Sequence, residues 1–101
     1  MPFTTVVGVD FRTLQQLKMS HVTWRKYAPE LWARPLLIFY DHKVLSECEL
    51  DFLEHPQLTT LPWPPDGCNY ANQREKMLSG FVHVPPRFVT TRWWMKLDTD
   101  A

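Results

Sequence analysis

Cysteine and net charge are scarce in this chain, and a long apolar run is missing altogether. The two cysteines, Cys48 and Cys68, stand twenty residues apart with no C-x-x-C pair. A zinc site would have to recruit His21, His42, His55 or His83, at spacings that fit no familiar zinc pattern, so the expectation is two reduced thiols. Eleven basic and eleven acidic residues cancel and are scattered rather than blocked. That leaves no electrostatic footprint for DNA or RNA, and no nucleic-acid partner is expected. The densest apolar run, Leu36 to Tyr40, is far too short to span a bilayer. The first ten residues lack the basic start and apolar core of a signal peptide, so the expectation is a cytoplasmic protein with no transmembrane segment. Low-complexity tracts and internal repeats are also missing, and 45% of the residues are hydrophobic, which argues for a folded domain rather than disorder.

What is present is an alternation of strand and helix signals. At 101 residues the chain fits one domain, spanning 1–101. Thr4 to Val9 (TTVVGV) is a β-branched run that predicts a strand. Asp10 follows, and Phe11, Leu14, Leu17 and Trp24 recur near helical spacing. The helix starts at Asp10 or at Thr13, whose spacing to Gln16 fits a capping box, and Pro29 ends it. Pro35 to Tyr40 (PLLIFY) is a continuous apolar run, as in strands covered on both faces, and Asp41 stands at its carboxyl end. Ser46 and Glu49 form a second capping box ahead of a short helix with Leu50, Phe52 and Leu53, stopped by Pro56. Leu58 to Leu61 predicts a third strand, and Pro62 to Asn69 a proline-rich loop. Asn72 and Glu75 cap a third helix over Gln73 to Val82, with Met77, Leu78, Phe81 and Val82 on one face, which Pro85 and Pro86 break. Trp93 to Leu97 (WWMKL) predicts a fourth strand.

This order predicts an α/β fold with a mostly parallel sheet of about four strands and flanking helices, since each crossover exceeds the dozen or so residues a parallel connection needs. In such sheets ligands bind outside the carboxyl ends of the strands, and there the sequence puts Asp10, Asp41 and the pair Asp98/Asp100. Two carboxylates two residues apart on an extended backbone project to the same side and can share one hard cation, Mg2+ or Mn2+. Six aspartates in a chain of 101 residues would produce a D-x-D by chance in roughly one sequence in three, so the pair gains meaning from its place after an apolar strand and after Lys96.

A strand ending in KLDTDA resembles the D-x-D strand of GT-A-fold glycosyltransferases, and the wider pattern is similar too: TTVVGVD, a second strand ending in IFYD, then NQREKMLSGF before RWWMKLDTDA. The resemblance covers nearly the whole chain and implies the Rossmann-like, nucleotide-binding half of a GT-A fold. It implies a nucleoside-diphosphate sugar bound through Mn2+ or Mg2+ at Asp98 and Asp100, with Asp41 near the nucleobase or ribose and Arg74 toward the diphosphate. Asp10 would contact the nucleoside, or serve instead as a helix N-cap. Arg74 and Lys76 could equally be a solvated helix face. The second strand ends in Asp41-His42-Lys43 rather than paired acids and a glycine-serine turn, which leaves the donor sugar unread. The unknown acceptor, its binding half and the catalytic base are expected outside these residues, with the domain incomplete at its C-terminus.

Two rival readings stand beside this one. A phosphatase-like fold would make Asp98 a nucleophile, but that motif opens its domain, and Ala101 replaces the usual glycine-threonine continuation. A truncated α/β domain would bind a nucleotide or a protein partner without catalysis. An uncovered sheet edge would favour self-association. Trp24, Trp32, Trp93 and Trp94 read as core or surface cover, Trp63 as a loop aromatic able to lie over a base or sugar, and His21 and His83 as structural histidines.

Overall fold

The computed structural model describes residues 3–65 and 69–99. Four strands, β1 (Phe3–Val9), β2 (Leu36–Asp41), β3 (Leu58–Trp63) and β4 (Trp93–Lys96), form one all-parallel sheet in the order β3-β2-β1-β4. Two helices, α1 (Leu14–Tyr27) and α2 (Gln73–Phe88), cover opposite faces, and short 3₁₀ segments run over Pro29–Leu31 and Glu47–Leu53. The expected α/β class and parallel sheet are thus observed. No helix among the described residues is long and apolar enough to cross a membrane.

The period-two alternation of the central strands divides the core. Val7, Val9, Leu36, Ile38 and Tyr40 pack on the face of α1 with Leu17, Trp24, Leu50 and Leu53, whereas Val6, Leu37 and Phe39 pack on the face of α2 with Trp63 and Val84. All six residues of β2 are buried, as a run with no polar alternation requires. Two glycines let α2 approach the sheet closely. A Cβ on Gly8 of β1, or on Gly80 of α2, would lie 2.6 Å from Phe39 Cζ, so the buried Phe39 ring fills the space both glycines leave.

Several boundaries differ from expectation for local physical reasons. Residues 11–13 form a capping turn ahead of α1: Asp10 Oδ1 accepts from the Arg12 and Thr13 amides, both at 2.9 Å, and its carbonyl accepts from Leu14 N–H at 3.1 Å. Thr13 Oγ1 returns the bond by accepting from Asp10 N–H at 2.9 Å. The box therefore lies three residues earlier than Thr13/Gln16, and Phe11 is 74% exposed in the turn rather than part of the apolar face. At the second box, Glu49 Oε1 accepts from Ser46 N–H at 3.2 Å as expected, although the segment it opens is 3₁₀.

β3 runs to Trp63, two residues past its expected end, which places Trp63 in the core; its indole N–H donates to Lys76 O at 3.2 Å and Ser79 Oγ at 3.1 Å. It is a packing residue there, not a loop platform. α2 continues through Pro85 and Pro86 to Phe88, because burial of Val84 and Pro85 overrides the proline break and the lost donors fall only in its last turn. Leu78 and Val82 turn outward, and the covered face is Met77, Gly80, Phe81 and Val84. β4 ends at Lys96, and Trp93 and Trp94 are exposed on the outer strand. Trp24 is core and Trp32 packs against it, while His21 is held by Leu17 O at 3.1 Å.

Candidate functional site at the strand switch

β2 and β3 step away from β1 on one side and β4 lies on the other, so the strand order reverses between β1 and β4. At such a point the two following connections part and leave a crevice above the carboxyl ends of the strands. Here it is a cleft of about 410 Å³, within the range of about 300–1,000 Å³ usual for small-ligand sites. Its walls include Arg12 from the turn before α1, Gln16 from its first turn, Gln73 and Arg74 from the start of α2, Lys96 from the end of β4 and Asp98 just beyond it. Two helix N-termini therefore flank it, with the positive ends of their dipoles.

The floor is a hydrogen-bonded chain of acids and donors. Asp41, at the end of β2, is almost fully buried and accepts from Lys76 Nζ at 3.0 Å, Gln73 Nε2 at 3.0 Å and Lys43 N–H at 3.2 Å. Burial alone would raise its pKa. The bonds from Gln73, Lys76 and the Lys43 amide, with the charge of Lys76, outweigh that and hold the carboxyl below the usual aspartate range. Gln73 Nε2 also donates to Asp10 Oδ2 at 3.2 Å, which links the ends of β1 and β2. Both oxygens of Asp10 are thus used internally, one capping α1 and one holding Gln73, so its N-cap role is the one observed.

The rim is different in character. Arg12 and Arg74 have no ion-pair partner among the described residues, and Lys76, which the sequence left as a candidate for a solvated face, is instead only 18% exposed at its side chain and paired. Asp98 is 65% exposed at its side chain, and its one ion pair among the described residues is with Lys96 Nζ at 3.5 Å. That ammonium also lies 4.8 Å from the centroid of Phe81. The Asp98-Thr99 stretch follows the strand rather than continuing it. Leu97 N–H still reaches Val6 O at 3.0 Å, and Thr99 lies in a turn, while the expected sharing of a cation with Asp100 falls outside the described residues.

α1 anchors that turn. Thr99 is buried, its hydroxyl donates to Gln16 Oε1 at 2.8 Å, and its carbonyl accepts from Ser20 Oγ. Asp100 and Cys68 lie outside the described residues. Among those described, no three acidic, histidine or cysteine side chains gather into a metal cage. Mg2+ and Mn2+ do not need one, since one or two carboxylates with substrate phosphates suffice, and an exposed, weakly paired Asp98 fits that requirement.

Asp10, Arg74 and Asp98 therefore line one cleft, and Asp41 lines an adjoining pocket with Asp10, Arg12 and Gln73, bonded to the last of these. The sequence reading missed the roles of Gln73, Gln16, Ser20 and Thr99 because each is a polar residue with a partner 32 to 83 positions away. Comparison of the chain with protein-family models, curated proteins and solved structures finds no match.

Proposed function

We propose that this chain binds the nucleoside diphosphate of a sugar donor in the β1/β4 cleft, as the donor half of a GT-A-type glycosyltransferase. The observation that carries the reading is the composition of the rim: two guanidiniums with no ion-pair partner among the described residues, Arg12 and Arg74, beside an exposed carboxylate, Asp98, between two helix N-termini. That combination suits a diphosphate and a divalent cation together better than either alone. Asp98, with Asp100, would hold Mn2+ or Mg2+, which when bound supplies Lewis-acid stabilisation of the diphosphate leaving group. Arg74 and Arg12 would meet the phosphate oxygens, and Gln16, Ser20 and Thr99 would hold the Asp98 turn in place.

Transfer would form a bond between an acceptor hydroxyl and the anomeric carbon as the bond to the diphosphate breaks, and the hydroxyl proton needs a base. Of the cleft carboxylates among the described residues, Asp10 is spent on capping and on Gln73, and Asp98 would be spent on the cation. The same observation favours a second reading, a domain that binds a nucleotide without transferring sugar.

Calorimetric titration with UDP, GDP and their sugars, with and without Mn2+, tests the proposal. Binding should require the cation, and Asp98→Ala with Asp100→Ala should abolish it. Arg74→Ala should weaken it about tenfold, the loss of one charge-assisted contact. A folded chain that ignores every one of these nucleotides at millimolar concentration would end the proposal.

A further inference from the structure

We infer that Gln73 presents a fixed hydrogen-bond acceptor to the nucleoside, so that its side-chain carbonyl selects ligands offering an N–H or O–H at that point. The inference rests on the donor-binding reading above and adds a specificity-determining residue to it. Gln73 is the first residue of α2, and its backbone is held by the adjacent cap, where Asn72 Oδ1 accepts from Glu75 N–H at 2.8 Å. Its amide nitrogen has two protons, and both are committed: one to Asp10 Oδ2 at 3.2 Å, the other to Asp41 Oδ2 at 3.0 Å.

That orientation follows from charge. Turning the amide over would set its carbonyl oxygen against two carboxylate oxygens, neither of which can donate. Asp41 stays ionised because Lys76 lies 3.0 Å away and its pKa is lowered. With the nitrogen end locked, the carbonyl Oε1 is turned away from both acids. It has no hydrogen-bond partner among the described residues, on a residue that lines both the cleft, with Arg12, Arg74 and Asp98, and the adjoining pocket beside Asp41.

An amide that faces solvent alone can rotate to offer either group. Here it can only accept. A nucleoside supplies a matching donor in two places, the imide N–H of the base or a ribose hydroxyl, and in both cases the shared chemistry is a proton pointed at Oε1. A ligand without that proton covers the carbonyl and leaves it unpaired, which is the kind of discrimination that buried polar groups provide.

The test is a double-mutant cycle between protein and ligand in the presence of Mn2+. Titrations would compare UDP, N3-methyl-UDP, 2′-deoxy-UDP and 3′-deoxy-UDP against the wild type and Gln73→Lys. GDP and N1-methyl-GDP replace the uracil pair if the wild type prefers guanine. Lysine can still donate to Asp10 and Asp41 but cannot accept, and a melting curve establishes that the variant is folded. One ligand change should weaken wild-type binding about tenfold, Gln73→Lys should weaken UDP by a similar factor, and the two together should cost no more than either alone. Which ligand change shows the coupling identifies the donor as base or ribose. If every ligand change costs the same in both proteins, or Gln73→Lys binds UDP like the wild type, the inference is wrong while the donor-binding reading survives. A wild type that binds no nucleotide removes both.

Discussion

Asp41 and Lys76 are the pair on which the floor of the cleft depends. Their side chains are 2% and 18% exposed, so each would be costly to leave alone. Asp41 titrates lower in the folded chain than in the unfolded one. It therefore contributes stability that is complete above the unfolded aspartate pKa, roughly 3.9, and is lost as pH falls through the lower folded value. Lys76→Met should weaken this dependence. Losing its charge and hydrogen bond leaves burial opposed only by Gln73 and the Lys43 amide, so the folded pKa moves up, and the variant's deficit is largest at neutral pH and shrinks on acidification. Urea midpoints at pH 7 should differ by the equivalent of about 3 kcal/mol, and the gap should narrow by pH 4. A gap independent of pH would mean the contact is one of packing rather than charge. Position explains why Asp41 could be picked out from the sequence and its partner could not. A carboxylate at the end of an all-apolar strand shows itself locally, whereas Lys76 is identified as its counter-ion only once α2 has been laid across β2.

Between elements, the closest fit is that of α2 on the sheet, where Phe39 occupies the space left by Gly8 and Gly80. Gly80→Ala sets two effects against each other. Alanine improves helix propensity by about 1 kcal/mol, but its Cβ would meet a fully buried ring that has little room to yield, a strain of about 1–3 kcal/mol. The clash should win, with the variant destabilised by about 1 kcal/mol in chemical denaturation, and Phe39→Leu should relieve part of that loss in the double variant. A more stable Gly80→Ala would show that α2 can lift off the sheet. Elements were readable here wherever periodicity was strong, as in the unbroken burial of β2 and the Leu14, Leu17, Trp24 stripe of α1. Where tertiary packing competes with a local rule, packing prevails. Val84 and Pro85 carry α2 past a diproline, and Trp63 is drawn into β3 by a core that its proline-rich neighbours gave no reason to expect.

At the scale of the molecule, the two edges of the sheet are not equivalent. On β3 the residues facing β2 are odd-numbered, as the bond from His42 N–H to Trp63 O indicates, so Pro62 stands where an outward N–H would be, and that edge is partly blocked. On β4 the bond from Leu97 N–H to Val6 O turns the odd residues inward, which leaves the backbone groups of Trp94 and Lys96 facing out beside exposed Trp93 and Met95. Edge pairing between copies should therefore be symmetric, β4 against β4, antiparallel about a two-fold axis. Charge selects the register. Centring on Trp94 would bring Arg92 up to Lys96, whereas centring on Met95 sets Trp94 across from Lys96 and brings Arg92, just before the strand, toward Asp98, just after it, of the second copy. Sedimentation at tens of micromolar should show a dimer that Trp94→Pro abolishes and Arg92→Asp weakens about tenfold. A monomer at every concentration, or a dimer indifferent to both changes, would rule this pairing out. Since Asp98 cannot serve Arg92 of a second copy and a cation at once, Mn2+ with a nucleoside diphosphate should shift the equilibrium toward monomer, and dilution should in turn tighten nucleotide binding.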